Sequence, residues 1–243
     1  YLELFNVSNY PALPGFIPVQ LGDPTLKWEK SMQTDIGVEF GLFNNRLTGE
    51  IDVYDKQTRD LHLAVNVPST NGYFDNINFL NQIYQNVGSL ENKGLEITLN
   101  GTIISNQDFK WTSSINLSFN RNKIKDLNGQ IIDGERGNIQ RAVEGQPIGA
   151  FFMRKFVAVD PQTRDALYLD ADGKPTANYN AAERMIVGDP NPNYTGGFTN
   201  TFSYQGIDLN VFFTFVQGND IYNEAGRFTT SGFGNGCDNQ TKD

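Results

Sequence analysis

Few side chains in this sequence are suited to chemistry, and most of them lack partners. His62 is the only histidine and Cys237 the only cysteine. A catalytic base or a metal ligand needs a second donor nearby, so His62, beside Asp60, reads as a solvated residue at the outer end of a strand. Four carboxylates, Asp35, Glu39, Glu50 and Asp52, alternate through TDIGVEFGLFNNRLTGEIDVYDK (34–56). A glycoside hydrolase holds two carboxylates about 5–10 Å apart and raises the pKa of one of them. Four acids on an open, wet face simply ionise, which favours a polar wall over a hydrolase. DADGK (170–174), with Asp160 and Asp165 upstream, matches a calcium loop only in part. It lacks the alternating acid order and the closing bidentate Glu, and Asp-Gly is also an ordinary turn signal. No catalytic residue and no cofactor are expected, with calcium in an external loop the one metal left open. Aromatic residues in the connections remain. Tyr73, Phe74, Tyr179, Tyr194, Tyr222 and Phe228 are the candidates to stack on a ligand or to touch a covering partner.

Composition narrows the class. The chain has 243 residues, a formal net charge of −9, 38% hydrophobic and 19% charged residues. So acidic a chain is a poor partner for a nucleic-acid backbone, and none is expected. A lone cysteine excludes a disulfide framework within the chain. No window approaches the run of apolar residues that a membrane-crossing helix needs; the most apolar stretch is VFFTFV (211–216). A membrane-crossing β-strand needs only about 9–11 residues of alternating character, so a barrel stays open. Tyr1 is not preceded by a signal-peptide pattern, so the sequence reads as mature, truncated or a fragment.

The elements that must position these residues are strands. Met32, Thr34, Ile36, Val38, Phe40 and Leu42 alternate with polar or small residues, and Asn44-Asn45 tolerates the positive φ of a tight turn. Leu47, Ile51 and Val53 resume the pattern. A second hairpin joins Leu95, Ile97 and Leu99, through Ser105–Asp108, to Phe109, Trp111, Ile115, Leu117 and Phe119. A third joins Phe198, Phe202 and Tyr204, through Gln205-Gly206, to Ile207, Leu209, Val211, Phe213 and Phe215. Residues 74–87 are Asn-rich and read as a packed loop.

Tight turns thus alternate with long connections at 57–92, 122–195 and 218–243. Compact soluble sandwiches rarely carry such loops at every second connection, whereas outer-membrane barrels do. Strand direction adds a constraint: an even number of crossings separates residue 121 from 196. Zero is the simplest, which makes Ala150–Val159 and Ala166–Leu169 a hairpin inside a loop. Phe40, Phe43, Phe109, Trp111, Phe202 and Tyr204 gather beside the three tight turns, where an interfacial girdle belongs.

Several stretches carry a family resemblance. GDPTLKWEKS (22–31), DIGVEFGLFNNRLTGEIDVYDKQTRDL (35–61), NVGSLENKGLEITLNG (86–101), EGQPIGAFF (144–152) and VGDPNPNYTGGFTNTFSYQGIDLNVFFTF (187–215) occur in order. Together they resemble the SusC/RagA-type TonB-dependent transporters of Bacteroidetes outer membranes. The resemblance implies an all-β fold, a segment of a 22-stranded transmembrane antiparallel barrel with short periplasmic turns and long extracellular loops. It also implies a SusD-like surface lipoprotein as partner, energy from the TonB complex through a plug, and uptake of nutrients, glycans or peptides. Nothing in the sequence matches a plug, a TonB box or a closing C-terminal strand, so all of residues 1–243 read as part of the barrel domain.

On this reading Ile36, Val38, Phe40, Leu95, Ile97, Leu117, Leu209, Val211 and Phe213 face membrane lipid, and the four acids face the lumen. The alternative is a soluble carbohydrate-binding β-sandwich in which the same apolar faces form a core.

Overall fold

The computed structural model describes residues 4–10, 13–20, 22–66, 82–134 and 139–229. β1 (Leu4–Tyr10) and β2 (Leu13–Gln20) form an antiparallel pair. Then come β3 (Lys30–Leu42), β4 (Leu47–Arg59), β5 (His62–Asn66), β6 (Gln82–Asn86), β7 (Ser89–Ser105) and β8 (Phe109–Asp126). Short strands follow: β9 (Ile132–Asp133), β10 (Arg141–Ala142), β11 (Phe151–Arg154), β12 (Phe156–Val159), β13 (Ala166–Leu169), β14 (Pro175–Thr176) and β15 (Arg184–Gly188). β16 (Tyr194–Tyr204), β17 (Ile207–Gln217) and a helical turn, α1 (Glu224–Thr229), complete the described chain.

Six strands make one antiparallel sheet in the order β17-β16-β8-β7-β4-β3. β16 pairs directly with β8, so the chain between them never crosses the sheet. The expectation of zero crossings therefore holds. In the loop, β12 and β13 form the anticipated hairpin, extended by β14. The first half of Ala150–Val159 behaves differently: β11 leaves that hairpin and pairs with β15. Residues 74–87, read from sequence as a packed loop, lie partly outside the described residues, and their described end is β6, which pairs with β5.

Register shows why the alternation matters. Cross-strand partners share a face, and the pairs run in rows across the sheet. One row is Ile36, Val53, Leu95 and Phe119; the next is Val38, Ile51, Ile97, Leu117, Gly196 and Phe215; the third is Phe40, Gly49, Leu99, Ile115, Phe198 and Phe213. Leu209 and Val211 continue this face on β17. All nine residues proposed from sequence to meet lipid lie on it. None of the described residues covers the face: Ile36 is 70% exposed and Val38 60%. The opposite face holds Asp35, Glu39, Glu50 and Asp52, with Glu39 directly across from Glu50. Its side chains bond to one another as amides and phenols do in water-facing ladders. The Tyr54 hydroxyl donates to Asn120 Oδ1 (3.1 Å), and Asn122 Nδ2 to Asn92 Oδ1 (2.8 Å).

Aromatic residues mark both ends of the apolar face. At the turn end, Phe202 stacks between Trp111 (5.5 Å) and Phe109 (6.4 Å). The Phe40 ring fills the space that Gly49 leaves open, where an added Cβ would overlap it. At the far end Tyr194 packs on Phe119 (5.8 Å) and Phe215 (6.2 Å). From Phe109 to Phe119 a strand rises about 33 Å, or about 23 Å if tilted near 45°, which matches the height of a barrel's lipid-facing band.

Beyond Phe119 the two faces exchange character. The row after it on the same face is Thr34, Asp55, Lys93 and Arg121, followed by Met32, Gln57, Glu91 and Lys123. On the other face polar residues give way to Leu90 paired with Ile124. Ile124, Leu127, Ala150, Phe151, Val65, Val87 and Ala182 are the buried apolar residues among those described, and none lies within the apolar band. The hydrophobic core among the described residues thus sits beyond the band, beneath the loops. β4, β7 and β8 run to Arg59, from Ser89 and to Asp126, well inside the segments read from sequence as loops. The reversal broke the period-2 pattern there and hid the strand ends.

Candidate functional site at the loop end

The residues that carried the family resemblance turn out to fasten loops to strand ends. Ile124 and its neighbours bind the 144–152 segment. Ile124 N donates to Gln146 O (2.9 Å), Gly145 N to Ile124 O (2.8 Å), Leu127 N to Glu144 Oε1 and Ile148 N to Asn122 Oδ1 (2.8 Å each). Asp220 accepts from Asp189 N (2.8 Å) and returns its own amide to Asp189 O (2.8 Å), tying 187–193 to the end of β17. Asn86 accepts from Lys27 N (2.6 Å) and donates to Lys27 O (2.8 Å). His62 belongs to the same clasp: its amide donates to Glu29 Oε1 (2.8 Å) and its ring nitrogen meets Lys27 O. It is half-buried and structural, not a freely solvated loop residue.

Above these anchors lies a platform of arginines and aromatic rings. Arg141 grips Asp133 with two nitrogens (2.6 and 3.2 Å) and lies 4.1 Å from the Phe152 ring centre. Arg184 stands 5.0 Å from the same ring and donates to Phe152 O (2.8 and 3.2 Å). One ring is therefore held by two guanidiniums, an arrangement that stiffens the β11–β15 pair. Next to it Arg154 lies 4.2 Å from the Tyr179 ring and donates to Ala182 O (3.0 Å). Tyr179 meets Tyr168 edge-on (5.3 Å), and Tyr168 meets Phe156 (6.1 Å). Phe156 is 53% exposed and Tyr179 54%. Two half-exposed rings beside a cation suit contact with a sugar ring or a peptide side chain.

The six aromatic candidates separate accordingly. Tyr179 is on the exposed platform. Tyr222 is half-buried against Phe151 (6.4 Å), a packing role. Tyr194 starts β16 and lies among the upper rings of the apolar face, so its surroundings are those of a girdle. Phe228 falls in α1, and its side chain is outside the described residues, as are Tyr73 and Phe74 altogether. Sequence reasoning missed Phe156 and Arg154. The only signal was an apolar FVAV run with no alternation in a segment flanked by turns.

The Asp170 carboxylate of DADGK accepts the amides of Asp172 (2.9 Å) and Lys174 (2.8 Å), closing a turn. Asp160 does likewise with Gln162 (2.8 Å). Among the described residues no group of three or more His, Cys, Asp or Glu could hold a metal ion.

Known proteins with this architecture point one way. Residues 2–235 match the family described as "TonB dependent receptor-like, beta-barrel". The TonB-dependent receptor P3 of Formosa agariphila is 34% identical over 266 residues, covering 100% of this chain and 25% of that protein. The TonB-dependent receptor SusC of Bacteroides thetaiotaomicron is 28% identical over 265 residues, covering 97% and 26%. The structure of the RagAB peptide importer in the "open-open" state superposes with a TM-score of 0.81 at 31% identity, covering 96% of this chain and 26% of that one. The chain spans about a quarter of the length of these relatives. It belongs to the TonB-dependent receptor β-barrel family, as a segment of an outer-membrane barrel.

Proposed function

We propose that this chain is wall and loop platform of an outer-membrane importer of nutrients that works with a SusD-like surface lipoprotein and is energised through the TonB complex. The observation that carries the reading is the exchange of faces along β7 and β8. A band of apolar side chains, bounded by rings at both ends and uncovered by any of the described residues, needs lipid as its solvent. Above it β8 buries Ile124 under folded loops, with half-buried Leu90 of β7 beside it, and the other face carries charge, as a segment standing in water must. Ile36, Val38, Phe40, Leu95, Ile97, Leu117, Leu209, Val211 and Phe213 meet lipid on this reading, and Asp35, Glu39, Glu50 and Asp52 line the lumen. The connections above the band are then extracellular.

Cargo binding falls to the loops. Tyr179, Phe156 and Arg154 form the surface offered to cargo or to the lipoprotein. Glycans and peptides are the two cargo classes, and the RagAB neighbours, named as peptide transporters, make peptides the first to test. Transport of this kind breaks no bond in the cargo.

The test uses the full-length protein. Val38→Arg should keep it out of the outer membrane, while Asn116→Arg on the opposite face should assemble. Cells carrying the assembled protein should take up labelled oligosaccharide or peptide in a TonB-dependent manner and co-purify a surface lipoprotein. Normal assembly of Val38→Arg would overturn the lipid-facing assignment.

A further inference from the structure

The rows just above the apolar band carry a charge pattern that barrel assembly does not require. In a chain of net charge −9, Lys93, Arg121, Lys123 and Lys125 gather on β7 and β8 on the outward side, and the acids they pair with among the described residues are Asp55 and Glu91. The register sets Lys93 directly opposite Arg121. Like charges so placed repel, which is destabilising unless an anion lies between or beside them.

The local acids answer only part of this charge. Lys93 pairs with Glu91 (3.0 Å) and Asp55 (3.4 Å), and Lys125 with Glu91 (3.7 Å). Arg121 and Lys123 form no ion pair among the described residues. Arg121 instead donates through Nη1 to the carbonyls of Asn120 and Asn193 (3.2 Å each), which holds the guanidinium in place while its other nitrogens stay available. Arg121 and Lys123 are exposed, two residues apart on one face, and Arg121 is the next outward residue after Phe119. That height is the level of lipid headgroups, where interfacial rings give way to water.

We propose that Arg121 and Lys123, with Lys93 beside them, bind the phosphate of an anionic lipid headgroup in the outer leaflet of the outer membrane. The site is continuous with the apolar band, so one lipid meets rings with its chains and cations with its phosphate. A fixed guanidinium beside an ammonium suits a phosphate with two or three free oxygens. The proposal rests on the lipid-facing reading of the band, which Val38→Arg tests separately.

Its own test takes the full-length protein in detergent with lipid A as probe, bis-phosphorylated or fully dephosphorylated with the same acyl chains. Native mass spectrometry reads the lipid retained. The wild type should retain the phosphorylated form roughly tenfold more, a preference that fades as salt rises. Arg121→Ala/Lys123→Ala should still assemble as a heat-modifiable barrel and lose the preference, whereas Lys174→Ala in the loop should keep it. Equal retention of both lipids by the wild type, or a preference that persists in the assembled double variant, would overturn the site. Should the double variant not assemble, the wild-type salt titration decides, because a preference unmoved by about 1 M salt is not electrostatic. Displacement of the lipid by millimolar inorganic phosphate would reassign the cations to a free anion and overturn the lipid proposal.

Discussion

Phe119 and Ile124 lie five residues apart on β8 and point to opposite sides of the same sheet. Phe119 packs against Tyr194 on the outward face, while Ile124, 2% exposed, lies under the loop that Gln146 ties down. Both are apolar, but Phe119 belongs to the face that the described residues leave uncovered and Ile124 to the core under the loops. On the proposed lipid-facing reading the sheet crosses a solvent boundary between them, and the expected effects of substitution change there.

Within the band, charge should block assembly. Val38→Arg or Leu117→Arg is expected to cost about 2–4 kcal/mol near the bilayer centre and less toward either girdle. Heat-modifiable mobility of the full-length protein in outer-membrane fractions measures this. Asn116→Arg, one residue from Leu117 on the wet face, should migrate as the wild type does.

Trp111 and Asn200 make a polar contact on the apolar face. Trp111 Nε1 donates to Asn200 Oδ1 at 3.0 Å, and Asn200 is buried. Trp111→Phe leaves the amide oxygen unsatisfied and should destabilise the folded protein by about 1–3 kcal/mol in urea titration. Asn200→Leu on that background should recover most of the loss; a further loss would show that the pair is not coupled.

Above the band the reverse rule holds. Ile124→Ala should open a cavity beneath the 144–152 segment and weaken its attachment, at a cost of about 2–5 kcal/mol. The barrel band should survive on a gel while limited proteolysis between residues 127 and 192 speeds up. Ile124→Asp should accelerate it further.

On the platform, Tyr179→Ala and Phe156→Ala should leave assembly unchanged, since both rings are about half exposed. Uptake of cargo or retention of the lipoprotein should fall by roughly tenfold if stacking supplies about 1–2 kcal/mol. Tyr222→Ala is the contrast: its ring packs on Phe151, so loop stability should fall before binding does.

Much of the wall was legible in the sequence because lipid and lumen impose a strict period of two over the band. Ile36, Val38, Leu117 and Leu209 could be assigned to one face from spacing alone, and the three turns followed from Asn, Asp and Gly. The first turn proved longer than Asn44-Asn45, with Phe43 also at positive φ, a conformation that no residue type there announces. Counting crossings between residues 121 and 196 correctly made the 156–169 hairpin part of a loop.

Tertiary structure decided where the pattern stops. Lys93 and Arg121 look like ordinary solvated charges until the register sets them opposite each other above Phe119. Tyr194 looks like a loop aromatic until β8 and β17 bring Phe119 and Phe215 against it. Arg141, Arg184 and Phe152 are far apart along the chain, and only the pairing of β11 with β15 makes them one cluster. Period and turn chemistry are local, so the sequence by itself determined which face of each strand is apolar. Height relative to the membrane and contacts across long loops depend on register between distant segments, and those only the folded chain could set.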